Sequence, residues 1–344
     1  MSVDPRRPLV SVVVPVYNGE PYLRESLESI LGQTYRHLEV LLMDDASTDG
    51  APEILRSYAE RDSRVRYERQ PRNRGIFGNI NDGIALAGGD YVAIHHADDV
   101  YDPEIVAVEV AYLGRRPEVG AAFCTDVFID RSGREFGRLT LPPEIRAAEV
   151  LSYADVLNGI LQHQNVFIRG GTSLVRRDVY DEVGWFDDRY SLRSDLDMWL
   201  RIARRFPIAI LDRALVRYRI HAENSSLRYA RLRTEPELWF SVVDRVLAEG
   251  GTDVARPDAL AAYEGHRAQD RLMVAANQYV LGDRAGLRAT LERVKLHRIL
   301  RTRRIPRWRL LLLWAILQLL GRLPRLGIAV RAFSRRWHRA GETV

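Results

Sequence analysis

The sequence predicts an open α/β sheet, doubly wound and mostly parallel, flanked by helices and followed by a mainly helical C-terminal extension. Three observations predict it. Short, continuous, β-branched runs alternate with helical patterns through the first hundred residues, as in a parallel sheet covered on both faces. Two of those runs stop at acidic pairs, Asp44-Asp45 and Asp98-Asp99, and in such sheets ligands bind beyond the carboxyl ends of the strands. From about residue 232 to residue 300 the pattern is helical throughout.

Leu9 to Val16 is an apolar strand that ends at the turn Tyr17-Asn18-Gly19. Pro21 to Leu31 places Tyr22, Leu27, Ile30 and Leu31 at helical spacing. Leu38 to Met43 is a second buried strand stopping at Asp44-Asp45, and Ser47-Thr48-Asp49-Gly50 turns into a helix with Ile54, Leu55 and Tyr58 on its inner face. Val65 to Glu68 is a short third strand. Asn79 to Ala87 is a helix closed by Gly88-Gly89, and Tyr91 to His95 is a fourth strand running into Ala97-Asp98-Asp99. Residues 136–166 give a looser pattern. Thr172 to Val175 reads as a strand, and Ser194 to Arg201 as a helix. The expected divisions are 1–230 for the sheet domain, 231–297 for a helical extension and 298–344 for a basic tail.

With 344 residues, 46% hydrophobic and 28% charged, the chain is an ordinary globular composition able to bury a sizeable core. Cys124 is the single cysteine. It excludes an intramolecular disulfide, reads as a small buried hydrophobe, and fits a reducing compartment. The N-terminus lacks the form of a signal peptide, so a cytosolic start is expected. Charge is uneven: twelve Arg and one Glu lie from Arg298 to Val344, a net of +11, which leaves −6 on the remainder of a chain of net +5. An enzyme of nucleic acids would carry its basic surface on the catalytic body; no nucleic-acid partner is expected.

Adjacent carboxylates repel at a strand end, and a hard divalent cation relieves them, magnesium pairing one or two carboxylates with phosphate oxygens. Asp98-Asp99 is therefore either a metal site or the cap of a helix entered through Asp102-Pro103-Glu104. Asp44-Asp45 is either a cap for the helix after Thr48-Asp49 or an acceptor for a nucleobase N–H.

The N-terminal two-thirds, residues 9 to 225, resembles the family 2 glycosyltransferases. The segments that carry the resemblance are Val10-Ser11-Val12-Val13-Val14-Pro15-Val16-Tyr17-Asn18, Ser29-Ile30-Leu31-Gly32-Gln33-Thr34-Tyr35, Asp44-Asp45-Ala46-Ser47-Thr48-Asp49, Asn73-Arg74-Gly75, and Ala87-Gly88-Gly89-Asp90-Tyr91-Val92 running into Ala97-Asp98-Asp99, in that order. The resemblance implies a GT-A fold and inverting transfer of a sugar from a nucleotide-sugar donor, a uridine diphosphate sugar by default. It implies a metal, Mn2+ or Mg2+, held by Asp99 and His221, a donor-nucleotide site of Pro15, Tyr17, Asp45 and Asp98, and Arg219 on the diphosphate. It makes Asp195, in Ser194-Asp195-Leu196-Asp197, the general base. Asp197 falls on another face of that helix. Trp185 stands on the acceptor side, either stacking on a sugar or packing in the core. The chain departs from the family pattern where an acid is replaced by His96, another acid by Ser194, and an arginine by Ile80; His96 is not expected as a ligand.

The resemblance further implies synthesis of a bacterial cell-surface polysaccharide or glycolipid on a saccharide or lipid-linked acceptor. No Gln-x-x-Arg-Trp signature follows the base, so one sugar per encounter is expected. A sugar nucleotidyltransferase would need a Gly-rich basic loop after the first strand, and Tyr17-Asn18-Gly19-Glu20-Pro21 has no basic residue. The departures at His96, Ile80 and Ser194 leave a second reading, a membrane-docked sugar-nucleotide-binding scaffold with impaired catalysis.

In the tail, Leu310 to Leu320 is uncharged between Arg309 and Arg322. Its helix of about 16 Å is too short for a hydrocarbon core of about 30 Å. Beyond it Leu326, Val330, Phe333 and Trp337 share one helical face with arginines turned away. The pattern suits an anionic membrane surface, which predicts a cytoplasmic protein peripheral to the cell membrane. A buried contact, with another copy in a homo-oligomer or with a partner protein, is the alternative.

Overall fold

The computed structural model describes residues 7–222, 224, 233–295, 297 and 307–322. The chain divides into two compact units, residues 1–222 and 223–344.

The first unit is built on β1 (Val10–Val16), α1 (Glu20–Leu31), β2 (Leu38–Asp44), α2 (Ala51–Arg61), β3 (Val65–Arg69), α3 (Ile76–Leu86) and β4 (Tyr91–Ile94). There follow β5 (Val100–Tyr101), α4 (Ile105–Arg115), β6 (Ala121–Ile129), β7 (Glu135–Arg138), α5 (Pro143–Arg146), β8 (Val150–Leu151) and α6 (Tyr153–His163). The unit closes with β9 (Ser173–Arg176), α7 (Arg177–Val183), α8 (Ser194–Arg205) and β10 (Ile208–Arg219). The sheet order is β3-β2-β1-β4-β9-β6-β10-β5, with β7 on β6 and β8 on β10. Strands β1 to β4 are mutually parallel. β9 runs antiparallel to both β4 and β6, and β10 is parallel to β6.

Those directions decide where a site can form. β1, β2, β4, β6 and β10 all end at one edge, and β9 begins there. The chain leaves β1 toward β2 on one side and returns as β4 on the other, so the crevice beyond β1 and β4 is a topological switch point. β1, β2 and β4 are buried almost without interruption because helices cover both faces, whereas the edge strand β3 buries only Val65 fully. α1 buries Leu23, Leu27 and Ile30, spaced for one helical stripe, and α2 buries Ile54, Leu55 and Tyr58. α3 lies against β1 and β2 through Gly83, where a Cβ would stand 2.4 Å from Val13 Cγ1. α8 fixes the far side of the sheet through Trp199, fully buried and edge-on to Phe123 and Phe186 at 5.0 and 5.8 Å.

The predicted strands and helices of the first hundred residues stand within a few positions of their expected bounds. The strand expected at Thr172–Val175 is β9, and the helix at Ser194 is α8. The loose stretch 136–166 resolves into β7, α5, β8 and α6. Ile80, where the family pattern has an arginine, is buried in the core. Cys124 is buried, as expected.

In the second unit, helices Leu238–Ala248, Pro257–Leu281, Arg284–Glu292 and Arg307–Arg322 bear out the helical extension. The last of these packs Leu310 and Leu317 against Leu272, Ala275, Tyr279, Leu287 and Leu291. Among the described residues no helix is long and apolar enough to cross a membrane. The expected face of Leu326, Val330, Phe333 and Trp337 lies outside the described residues.

Candidate functional site

The common strand edge collects the residues the sequence singled out. β1 delivers Pro15, half-buried, and Tyr17, 54% exposed at the rim. Beside them β2 ends in two carboxylates with different tasks. Asp44 is buried and accepts from the Ser47 N–H at 2.8 Å and the Tyr67 hydroxyl at 2.9 Å; it anchors a loop. Asp45 accepts from the N–H groups of Arg74 and Gly75 at 2.6 and 3.0 Å, which clasps the turn into α3. Burial raises its carboxyl pKa against those two hydrogen bonds. The loops after β1 and β2 are tied by Asn18 N–H to Ser47 Oγ and Thr48 N–H to Asn18 Oδ1, at 3.0 and 2.8 Å. Asn18 and Ala46 both hold positive φ, 52° and 62°, a conformation that costs roughly 1–3 kcal/mol at a non-glycine residue and clusters at ligand sites.

At the end of β4, His96, Asp98 and Asp99 each bring a potential ligand atom within 4.8 Å of the others. Asp99 is 1% exposed. Its Oδ1 accepts the Arg219 N–H at 2.9 Å, and its Oδ2 has no hydrogen-bond partner. Asp98 meets His221 Nε2 through Oδ2 at 3.0 Å. Burial raises the Asp99 pKa, and the charge of Asp98 adds to it. Burial also works to raise Asp98, but the imidazoles of His221 and His96 outweigh it and hold it below the usual range. For His96 burial disfavours the imidazolium, yet Asp99, Asp98 and Asp195 prevail and raise its pKa. A buried carboxylate oxygen without a partner, facing an imidazole and a second carboxylate, is a donor set that fits a divalent cation. His96, not expected as a ligand from the sequence, belongs to that group.

His221 sits against the Tyr22 ring, centroids 4.8 Å apart, and touches Asp98 rather than Asp99. Arg219 is placed differently from the expectation. Its guanidinium is 1% exposed and turned inward, donating to Glu25 Oε2 at 2.6 Å, to the Asp98 carbonyl at 2.9 Å and to the carbonyls of Asp130 and Arg131. Tyr22 lies under it at 4.8 Å. In this arrangement Arg219 holds the main chain of the acidic cluster in place.

Asp195 stands in the first turn of α8, half-buried, its Oδ1 accepting the Leu196 N–H at 2.7 Å. Burial raises its pKa, opposed by that bond, by Arg193 and by the nearby His96. Ser194, in place of the family acid, is a structural anchor, donating to the carbonyl oxygens of Asp187 and Ser191. Asp197 faces away, as its spacing predicted, and binds Arg201 at 2.8 Å. Arg201 in turn holds the Val183 and Trp185 carbonyls, so Trp185 is presented 48% exposed while Phe186 fills the core.

One residue escaped the sequence reading. Asp126, on β6, is fully buried, with Arg169 Nε at 3.1 Å. The Arg169 guanidinium lies over Phe128 and Tyr218. Burial pushes the Asp126 pKa up to about 6, Arg169 opposing and Asp99 adding to the shift. The available signal was a carboxylate interrupting an otherwise apolar run beside Cys124.

The family model described as Glycosyl transferase family 2 matches residues 11–184. An uncharacterized glycosyltransferase of Haemophilus influenzae is 29% identical over 230 residues, covering 66% of this chain and 70% of its own. The putative teichuronic acid biosynthesis glycosyltransferase TuaG of Bacillus subtilis is 28% identical over 235 residues, covering 68% and 87%. Among solved structures, S. aureus TarS 1-349 in complex with UDP-GlcNAc superposes with a TM-score of 0.60 at 19% identity, over 85% of this chain and 83% of that one. The mannosyltransferase PcManGT from Pyrobaculum calidifontis, in complex with GDP-Man and Mn2+, gives 0.52 at 20% identity, over 97% and 88%. At these identities the two structures speak for the fold.

Proposed function

We propose, from the premise that the chain belongs to glycosyl transferase family 2, that it moves one sugar from a nucleotide-sugar donor to an acceptor hydroxyl with inversion at the anomeric carbon. The observation that carries this reading is the meeting, at one sheet edge, of a cation-competent cluster with a single half-buried carboxylate of raised pKa.

The donor nucleotide lies along the ends of β1 and β2. Tyr17 and Pro15 offer apolar surface to the base, and Asp45 shapes the floor by clasping the Arg74-Gly75 turn. Asp98 and Asp99 would hold a divalent cation, Mn2+ or Mg2+, with His221 bonded to Asp98 rather than to the ion; when bound, the cation would neutralise the departing diphosphate. Asp195 accepts the acceptor proton as the oxygen attacks the anomeric carbon. The bond to the diphosphate oxygen breaks on the opposite face, so a single displacement inverts the centre. General-base assistance of this kind is worth roughly 10²–10⁴ in rate. Arg219 serves by fixing the Asp98-Asp99 main chain. Trp185, exposed on the α8 side, offers a ring face to the acceptor sugar.

UDP-GlcNAc and GDP-Man appear with the two structural neighbours, and either class of donor fits a base site built from Tyr17, Pro15 and backbone. The likeness to TuaG, a putative teichuronic acid biosynthesis glycosyltransferase, favours a cell-surface polysaccharide acceptor. Slow donor hydrolysis, followed by nucleoside diphosphate release, tests the reading. Release that needs both the cation and Asp195 is expected. Cation-dependent donor binding without any release would return the scaffold reading.

A membrane-bound acceptor is favoured by helix Arg307–Arg322. Trp308, Leu312, Ile316 and Leu319 are exposed at intervals of four, four and three residues, one apolar stripe, while Leu310 and Leu317 face inward. With a net +11 from Arg298 to Val344, its charge complements an anionic bilayer. Flotation with anionic vesicles, and none with neutral ones, is expected. Dimers without flotation would assign the stripe to a second copy.

A further inference from the structure

The acidic cluster contains an imidazole, that of His96, whose main chain is anchored on both sides. The His96 N–H donates to the Tyr101 hydroxyl at 2.6 Å, and its carbonyl accepts from the Ser26 hydroxyl at 3.0 Å. Gly171 passes directly over the ring, and a Cβ there would stand 3.1 Å from Nδ1. Nδ1 faces Asp99 Oδ2 at 3.5 Å, too long for a hydrogen bond. That oxygen is buried and has no hydrogen-bond partner. Two atoms coordinated by one divalent ion through bonds of about 2.1 Å stand roughly 3.0–3.5 Å apart at angles of about 90–110°. The gap between Nδ1 and Oδ2 is of that size, and Asp98 supplies a third donor within 4.8 Å of both.

We propose that His96 is a ligand of the cation site, and that its nitrogen makes the site select Mn2+ and later transition ions over Mg2+. The proposal rests on the cation reading above and deepens it. Magnesium prefers oxygen donors and retained water, whereas imidazole suits the transition ions, whose affinity for a mixed nitrogen and oxygen site rises along the series. Gly171 acts with it as a positioning residue, because any larger side chain there would push the ring off the line to Asp99.

The test uses the full chain with Mn2+ alone as probe and pulsed electron paramagnetic resonance as readout. Bound Mn2+ should show coupling to a directly coordinated 14N. The coupling should persist in His221→Gln, which removes the neighbouring imidazole, and vanish in His96→Asp with Mn2+ still bound. In competition binding, the preference for Mn2+ over Mg2+ should fall about tenfold or more in His96→Asp. His96→Asn is measured alongside, because Asp adds a third carboxylate to the cluster; either folded variant decides. Coupling that survives both His96 variants, or disappears in His221→Gln, overturns the assignment. Mn2+ bound to the native chain without nitrogen coupling sinks the imidazole ligand alone, whereas a native chain that binds no Mn2+ sinks the cation reading with it.

Discussion

Replacing Asp195 by asparagine separates its proposed role as base from the structural duty of that side chain. The amide keeps an oxygen where Oδ1 accepts the Leu196 N–H at 2.7 Å, so the start of α8 is preserved. What is lost is one negative charge in the first helical turn, worth about 0.3–1 kcal/mol, and part of that is returned because burial already disfavours the charge. The expected change in stability is therefore within about 1 kcal/mol, a melting shift of roughly 2–4 °C for a unit of this size. The chemical step loses general-base assistance, about 10²–10⁴-fold or roughly 2.7–5.4 kcal/mol of barrier. Donor affinity should stay within about twofold, since the side chain touches none of the nucleotide loops. The assay pairs nucleoside diphosphate release with calorimetric titration of donor in the presence of Mn2+. A rate loss under tenfold, or a donor affinity that collapses in step with the rate, would refute the assignment.

Burial raises the Asp195 carboxyl pKa, and a general base works only when ionised. The acid limb of the pH–rate profile should therefore fall off above the ordinary carboxylate range and disappear in Asp195→Asn; a limb at the ordinary carboxylate value would contradict the burial argument. Asp126 has a pKa of about 6 against 3.8 for the free side chain. Its ionisation favours the unfolded chain, so stability is fullest below the unfolded value and is lost as pH rises through about 6, by roughly 3 kcal/mol. Urea unfolding of the metal-free chain across that window should show the loss, and Asp126→Asn should remove it; an unchanged pH slope in the variant would refute it. Gly171→Ala brings a methyl within 3.1 Å of His96 Nδ1 and 3.5 Å of Asp99 Oδ2. Mn2+ affinity should drop about 10–100-fold, the usual scale for disturbing the support of a metal ligand. Calorimetry showing native affinity would mean the cation does not sit against that turn.

How much of this was legible in the sequence follows from what each residue's partners are. β1, β2 and β4 are continuous apolar runs because both faces are covered, and their ends are marked by turns and acidic pairs, so the switch-point edge could be read directly. β10 was hidden: Asp212, Arg213, Arg217 and Arg219 break its apolar pattern, and its register against β6 shifts at Leu211, Ala214 and Val216. The inward turn of Arg219 depends on Glu25, 194 residues away, and no local pattern announces it. Asp126 gains its meaning from Arg169 and Asp99, both distant in sequence. Asp45 was expected to face a base edge, and its bonds to Arg74 and Gly75 required the fold to bring the third loop back to the second strand. His96 looked like a departure from an acidic pattern, whereas folding puts its ring against the one oxygen of Asp99 that lacks a partner.

In the proposed function the edge holding His96, Asp98 and Asp99 binds a nucleotide sugar through a divalent cation. A thermal-shift panel of uridine, guanosine and deoxythymidine diphosphate sugars, each with Mn2+ and with excess EDTA, tests it most directly. At least one donor should raise the melting temperature with Mn2+, and the rise should vanish in EDTA and in Asp99→Asn. Stabilisation that survives EDTA and the variant alike, or a panel in which no nucleotide sugar shifts the transition, would rule out cation-bridged donor binding at this edge.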